Sequence, residues 1–415
     1  MARPGTTVTA MPGFGTATLR HRRQGRSAGP HGPGPDRPQP VDGRGQECDG
    51  LILMQTSCTP RPRKRAPLLA ALFLVTATAA CEQVETRIIE RMAGRNLTGD
   101  RADLLTDGKL HVVLCGTGSP IADRDRAGAC TAVLAGGHFV MVDAGPGAWR
   151  EIALRRLPRA QLDAVLVTHF HSDHIGDLGE TITQSWIAGR TKPLTVYGPR
   201  GIEQLVDGFR QAYALDTQYR VAHHGVEAMP PAAGVPVARV VTLPAPDAAA
   251  VVFEADGLRV TAFAVDHTPI EPAYGYRFEY RGRSIVVSGD TKKNPNVVTH
   301  ATGADVLVHE ALATHIIAPV TAYANAHGLS RWAKLTADVG NYHTTPVEAA
   351  EVAKAAGVRM LVLSHIVPPL PNVLARRMFL RGVTEAWNGR VELGRDGMHL
   401  TMPPTNSSIE VDTLS

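Results

Sequence analysis

The chain has 415 residues, 44% of them hydrophobic and 20% charged, an ordinary globular composition that excludes a multi-span membrane protein and a wholly disordered chain. The formal net charge of +4 is uneven: residues 1–80 hold 11 of the 43 Lys/Arg and 4 of the 39 acids, so residues 81–415 carry −3. A mildly acidic body lacks the footprint expected of a phosphate-backbone binder, although a local basic groove is compatible with it. Five cysteines without a CxxC pair are too few and too scattered for a disulfide scaffold.

Residues 1–50 are Arg, Gly and Pro among polar residues, with no apolar period of 2 or 3.6, and are expected to be disordered. From Met54 the pattern changes. A basic cluster at 61–65, a mostly apolar run at 68–80 and Ala79-Ala80-Cys81 resemble the three regions of a secretory signal. The run has 13 residues, too short to span about 30 Å of hydrocarbon. Residues 1–53 are therefore read as disordered and outside a translated product that starts at Met54. Residues 54–80 are read as the signal and Cys81 as a lipidation site, followed by a linker at 81–106, a domain at 107–402 and a tail at 403–415. The expected location is the periplasm, or the membrane as an anchored lipoprotein, with no membrane contact beyond that N-terminal signal or anchor.

Apolar runs at 110–114, 131–134 and 139–142 read as strands, and a further run at 162–167 leads into Thr168-His169-Phe170-His171-Ser172-Asp173-His174. Period-2 alternation puts His169 and His171 on one side of the chain, and the following turn lets Asp173 and His174 swing back to the same point. Imidazoles and a carboxylate meeting at one place are first-row metal ligands, and two such pairs suggest two ions. Helix formers cover 178–188, and the Pro/Ala-rich stretch 230–246 reads as a connecting loop. Strands at 260–265 and 284–287 end in Asp266-His267 and Ser288-Gly289-Asp290-Thr291, and one at 360–363 ends in Ser364-His365. A strand at 306–308 precedes His309-Glu310-Ala311. Tyr342-His343-Thr344-Thr345-Pro346 opens a helical stretch at 347–356. The long segment between Glu310 and His343, with His315, Tyr323, His327 and Trp332, reads as a lid or substrate wall.

The HxHxDH run and the order of these strand ends resemble the metallo-β-lactamase superfamily from about Leu110 to His365. Gly116-Thr117-Gly118-Ser119-Pro120 and Val142-Asp143-Ala144-Gly145 look like its opening strands. The resemblance implies an α/β fold: one αββα sandwich of two mainly antiparallel sheets with outer helices. Strands at 110–114, 131–134, 139–142 and 164–167 would form the first sheet; those at 260–265, 274–278, 284–287, 306–308 and 360–363 would form the second. It also implies one metal on His169, His171 and His267 and another on Asp173, His174 and His365. Asp290 would bridge both, and Asp143 would orient a ligand histidine. Mixed His/Asp ligands suit two Zn2+, with Mn2+ or iron admitted. Such a pair would lower the pKa of a bridging water and let hydroxide attack at neutral pH, with Asp173 part of the catalytic set.

The His-Glu-Ala and His-Thr-Thr elements resemble those of the ribonuclease Z and arylsulfatase branch. By that resemblance His343 protonates the leaving oxygen and Glu310 orients it. Typical short ribonuclease Z chains insert a long segment before the SGDT strand, and family members carry a basic Gly/Pro-rich arm that grips tRNA. Here only Glu279-Tyr280-Arg281-Gly282-Arg283 joins two strands, and no such arm follows residue 81. The absent arm, the −3 body and the signal together point to an exported binuclear zinc hydrolase of small sulfate or phosphate esters, arylsulfatase- or phosphodiesterase-like, with nucleic acid not expected as a partner. The alternatives are a ribonuclease Z-type tRNA 3′-end endonuclease and a non-catalytic metal-binding protein; a homodimer is compatible with any of them. His223 and His224 are read as pocket-rim or core residues rather than ligands. Cys115 and Cys130 are read as reduced core thiols, with a disulfide as the alternative.

Overall fold

A computed structural model describes residues 83–94 and 99–415. The expectations for residues 1–53, the signal at 54–80 and lipidated Cys81 lie outside the described residues. Among the described residues there are fifteen strands: β1 (Leu110–Gly116), β2 (Cys130–Ala135), β3 (His138–Val142), β4 (Leu162–Leu166), β5 (Thr195–Gly198), β6 (Val237–Val240), β7 (Ala249–Ala255), β8 (Leu258–Val265), β9 (Ala273–Tyr280), β10 (Arg283–Val287), β11 (Val306–Leu312), β12 (Met360–Val367), β13 (Arg390–Leu393), β14 (Met398–Met402) and β15 (Glu410–Thr413). They build an eight-stranded sheet, ordered β15-β14-β1-β2-β3-β4-β5-β6, and a seven-stranded sheet, ordered β13-β12-β11-β10-β9-β8-β7.

The expected two-sheet sandwich is there, and each sheet is mixed. β3 to β6 run parallel in the first and β10 to β13 in the second, while the remaining neighbours are antiparallel. Parallel neighbours need a crossover, and helices supply it. Ala148–Leu154 bridges β3 to β4, Leu178–Ile187 lies between β4 and β5, and Pro295–Ala301 bridges β10 to β11. The carboxyl ends of β3, β4, β10, β11 and β12 all reach one edge of the sandwich, where chain reversals leave side chains free to converge.

Alternation along the strands explains the core. Leu110, Val112 and Leu114 of β1 face inward onto Tyr276 and Phe278 of β9 and Val306 and Val308 of β11. Val113 and Cys115 face outward beneath Trp149 and Ile152. Leu307, Leu361 and Leu363 lie beneath Ala349 and Val352 of the helix Pro346–Ala356. Both faces of the central strands are covered, so they read in sequence as continuous apolar runs.

Several boundaries differ from expectation. Within the stretch expected to be a linker, residues 83–94 are helical, and the helix Asp103–Thr106 buries Leu104 and Leu105 in the first sheet's outer core. Asp100 pairs with Arg159 at 2.9 Å. The tail is not frayed, because β15 pairs antiparallel with β14 and Leu414 is buried. Ahead of β15, Arg283 donates to the carbonyls of Pro403, Asn406 and Ser408. The stretch 230–246 contains the helix Pro231–Gly234 and β6 rather than loop alone. Cys115 and Cys130 are disulfide-bonded, not reduced: β1 and β2 are antiparallel neighbours, and a register shift after Leu114 brings the two Cα atoms to 4.9 Å. Among the described residues no helix is long and apolar enough to cross a membrane.

Candidate metal centre

β4 delivers the His-rich run to the sandwich edge, and the helix Ser172–Ile175 begins inside it. The segment after β8 brings His267, that after β10 brings Asp290, and β12 brings His365. Asp290 Oδ2 lies 3.8 Å from His169 Nε2, 3.3 Å from His174 Nε2, 3.9 Å from His267 Nε2 and 3.4 Å from His365 Nε2. Asp173 Oδ2 is 3.0 Å from His365 Nε2 and 3.6 Å from His174 Nε2. His171 Nδ1 lies 3.0 Å from His169 Nε2 and 3.5 Å from His267 Nε2. Among the described residues three donor groups have their atoms within 4.8 Å: His169, His171, His267 and Asp290; Asp173, His174 and His365; and Asp290, His343 and His365, the last overlapping the first two. All seven residues singled out from sequence meet here, and Asp290 stands between the first two groups.

Their orientation is held from outside the cluster. Asp143 accepts the Thr168 N–H at 2.8 Å, the Thr168 hydroxyl at 2.9 Å and His174 Nδ1–H at 2.8 Å, which leaves His174 Nε2 for the centre. His267 Nδ1–H donates to the Tyr342 carbonyl at 2.9 Å, with the same effect on its Nε2. Asp143 and His365 adopt the left-handed region at φ 60 and 46, strain that costs on the order of 1–3 kcal/mol each and persists because the surrounding contacts fix it. Gly145 is obligatory, since a Cβ there would sit 2.0 Å from the Asp173 carbonyl. Thr168 opens the quoted run, yet nothing in its spacing marks it as the clamp on Asp143. The Tyr342 contribution comes from the backbone and leaves no side-chain signal at all.

Asp143, Asp173, Asp290 and Glu310 are all buried within this edge. Burial raises the Asp290 carboxyl, but His365 and His174 outweigh it and hold the group well below the usual carboxylate range. His169 is held well below its ordinary value by burial and by neighbouring His174, and burial lowers His171 and His267 as well. Neutral imidazoles with an inward nitrogen are lone-pair donors. His174 goes the other way: burial opposes its charged form, but Asp290 and Asp143 favour positive charge there strongly. Its Nε2 is buried and has no hydrogen-bond partner. A cation at that nitrogen would supply the positive charge that the buried carboxylates require, so the donor set fits divalent metal ions.

His343 stands beside the cluster, its ring centroid 5.2 Å from that of His267 and 5.5 Å from that of His365. Its Nδ1 is 2.9 Å from Glu310 Oε1, which also accepts the N–H groups of Thr291 and Thr344 at 3.1 Å each. Burial pulls the imidazole down, but Glu310 and Asp290 more than offset this and raise it to about 9. A capping box between Thr345 and Glu348, with Pro346 at the first position, fixes the start of the next helix and so the approach of His343.

The Glu310–His343 segment is a pair of helices, Thr314–Ala326 and Ser330–Val339, with Tyr323 and Trp332 exposed. His223 and His224 are exposed on the helix Ala214–Ala228, which excludes the core half of their reading as pocket-rim or core residues. Two clefts flank the centre. One, of about 470 Å³, carries Arg124, Arg126 and Arg150 and reaches Ser172 and Asp173. The other, of about 580 Å³, is lined by Phe170, Ile175 and the helix Ile202–Ala212.

Residues 138–366 match the family model described as a Beta-lactamase superfamily domain. The chain is 37% identical over 290 residues to Ribonuclease Z of Mycobacterium marinum (strain ATCC BAA-535 / M), covering 69% of this chain and 96% of the relative. Ribonuclease Z of Mycobacterium bovis (strain BCG / Pasteur 1173P2) is 35% identical over 290 residues with the same coverage. Among solved structures, human tRNase Z, short form, aligns with TM-score 0.51 and 22% identity over 71% of this chain and 99% of that one. The metallo-beta-lactamase fold protein YhfI from Bacillus subtilis aligns with TM-score 0.51 and 18% identity over the same shares. These two likenesses concern the fold. The ribonuclease Z relatives overturn the expectation of an arylsulfatase- or phosphodiesterase-like enzyme for small anionic esters, and with it the exclusion of nucleic acid. A body charge of −3 averages over the whole surface and says nothing of where single charges lie, such as exposed Arg124 and Arg150 at the cleft beside Asp173. With identity spread over nearly the full length of those relatives, the chain belongs to the metallo-β-lactamase superfamily, in its ribonuclease Z-like branch, and is a metal-dependent hydrolase of phosphoester bonds.

Proposed function

We propose that the protein is a ribonuclease Z-type endonuclease that hydrolyses a phosphodiester bond near the 3′ end of precursor tRNA, with two Zn2+ as its metals. The observation that carries this is the 37% identity to a ribonuclease Z over 96% of that relative's length. The geometry supplies matching chemistry. His169, His171 and His267 would hold one ion and Asp173, His174 and His365 the other, with Asp290 shared. The metals would contribute Lewis-acid stabilisation of phosphoryl charge and a nucleophile at neutral pH.

The chain's own residues do the rest. His343, raised to about 9, is protonated at neutral pH. Glu310 occupies its Nδ1, so Nε2 is the atom left to give a proton to the departing oxygen. At the cleft beside Asp173, exposed Arg124 and Arg150 offer positive charge to an approaching polyanion, whereas Arg126 is spent on Thr117 and the Gly394 carbonyl. That local charge supports RNA binding although the turn between β9 and β10 carries no arm. Precursor tRNA, an aryl sulfate and a bis-aryl phosphate should be compared side by side, with and without chelator. Chelator-sensitive cleavage of the RNA, restored by Zn2+, is expected; aryl sulfate turnover with the RNA left intact would overturn the proposal.

A further inference from the structure

We infer that the cleft lined by Phe170, Arg200 and Gln204 is a nucleotide subsite that stacks a nucleobase flanking the scissile phosphate; this rests on the RNA reading above. Phe170 lies between His169 and His171. Those two histidines turn toward the metal centre, so the intervening side chain leaves on the opposite side of the same short segment. Its half-buried ring rests against Gly201, where an added Cβ would come within 3.1 Å of the ring. Ile175, Leu205 and Phe209 complete an apolar wall, and the space of about 580 Å³ falls in the range of small-ligand sites.

Two polar groups stand at the rim of this wall. Arg200 and Gln204 are exposed, and among the described residues neither side chain makes a hydrogen bond or an ion pair with another residue. An unspent guanidinium beside an aromatic floor suits a phosphate attached to a flat, apolar-faced ring. An unspent amide suits the edge of a base. The position adds the decisive constraint: the floor is one residue from two metal-site histidines, so a strand whose phosphate sits at the centre brings an adjoining base to this cleft. An apolar peptide would leave Arg200 without a counter-charge, whereas each nucleotide provides one.

The test uses the metal-loaded full chain and the variants Phe170→Leu, Arg200→Ala and Gln204→Ala. Precursor tRNA is compared with bis(p-nitrophenyl) phosphate, which has no base, and with precursor tRNA carrying an abasic nucleotide on either side of the cleavage site. Losing a base stack lowers kcat/KM by about 5- to 150-fold. That loss is expected for Phe170→Leu on RNA, chiefly through KM, with bis(p-nitrophenyl) phosphate turnover unchanged. Arg200→Ala and Gln204→Ala should show smaller losses of the same kind. One of the two abasic substrates should cost wild type a similar factor and cost Phe170→Leu nothing further. Equal losses on both substrates would make Phe170 a support for its neighbouring histidines and overturn the subsite, as would indifference of wild type to both abasic positions. Anisotropy with a single-stranded oligoribonucleotide separates the two levels. Binding that depends on Phe170 without cleavage supports the cleft and counts against the ribonuclease reading; cleavage and binding that ignore Phe170 and Arg200 count against the cleft alone.

Discussion

Two groups of histidines are buried among the described residues, and in the one at the sandwich edge the rings divide: burial lowers His169, His171 and His267, while two others go the opposite way. At the sandwich edge, His174 and His343 sit among Asp143, Asp290 and Glu310, and both are pushed toward the charged form. On the outer face of the first sheet, His111 Nδ1 lies 3.0 Å from His399 Nε2, across the antiparallel pairing of β1 with β14. There burial and neighbouring His111 press His399 down to about 4. The nearby carboxylates in that second place belong to Asp107 and Asp412, neither of which is buried. Buried imidazoles therefore do not by themselves make a reactive centre; buried carboxylates among them create the demand for positive charge that metal ions meet.

The comparison is broken most severely by removing the shared carboxylate. Asp290→Ala should lose most of the bound metal and about a thousandfold or more in kcat/KM, equivalent to roughly 4 kcal/mol of charge stabilisation. Metal analysis of the purified variant and single-turnover kinetics check it, and full metal content with full turnover would refute the assignment. His343→Ala should lower kcat by about 10²- to 10⁴-fold while metal content stays as in wild type. Because the protonated form acts, activity should decline as pH rises through about 9. Glu310→Gln removes the group that lifts His343 and should bring the decline to lower pH. Asp143→Asn keeps the shape but weakens the clamp on His174, and should reduce metal affinity by about 10- to 100-fold, read by competition with a chromophoric chelator.

Much of the centre was legible because metal ligation demands particular residue types at strand ends. His169, His171, Asp173, His174, His267, Asp290 and His365 all stood out by type and position, and all converge. The opening strands β1 to β4 and the later β8 to β12 were legible as apolar runs. β5, β6 and β13 have four residues each, too few to show a period, and β15 is exposed along most of its length. The expectation about substrate went astray for a related reason: net charge is a sum and carries no positions, and only folding brings Arg124 and Arg150 to one cleft beside Asp173.

The remaining expected effect is on stability rather than activity, and it belongs to the histidine pair away from the centre. The unfolded chain takes up a proton on His399 near its ordinary value of 6.5, while the folded chain resists until about 4. As pH falls from 6.5 toward 4 the unfolded state therefore binds more protons, and folding stability drops by up to about 3 kcal/mol before levelling off. His399→Gln preserves a polar partner for His111 but cannot titrate, so its stability should decline less over that interval. Acid release of metal from the other cluster destabilises both proteins alike, and the difference between their denaturation midpoints isolates the His399 contribution. Parallel curves for wild type and variant between those pH values would show that this pair does not titrate as its burial requires.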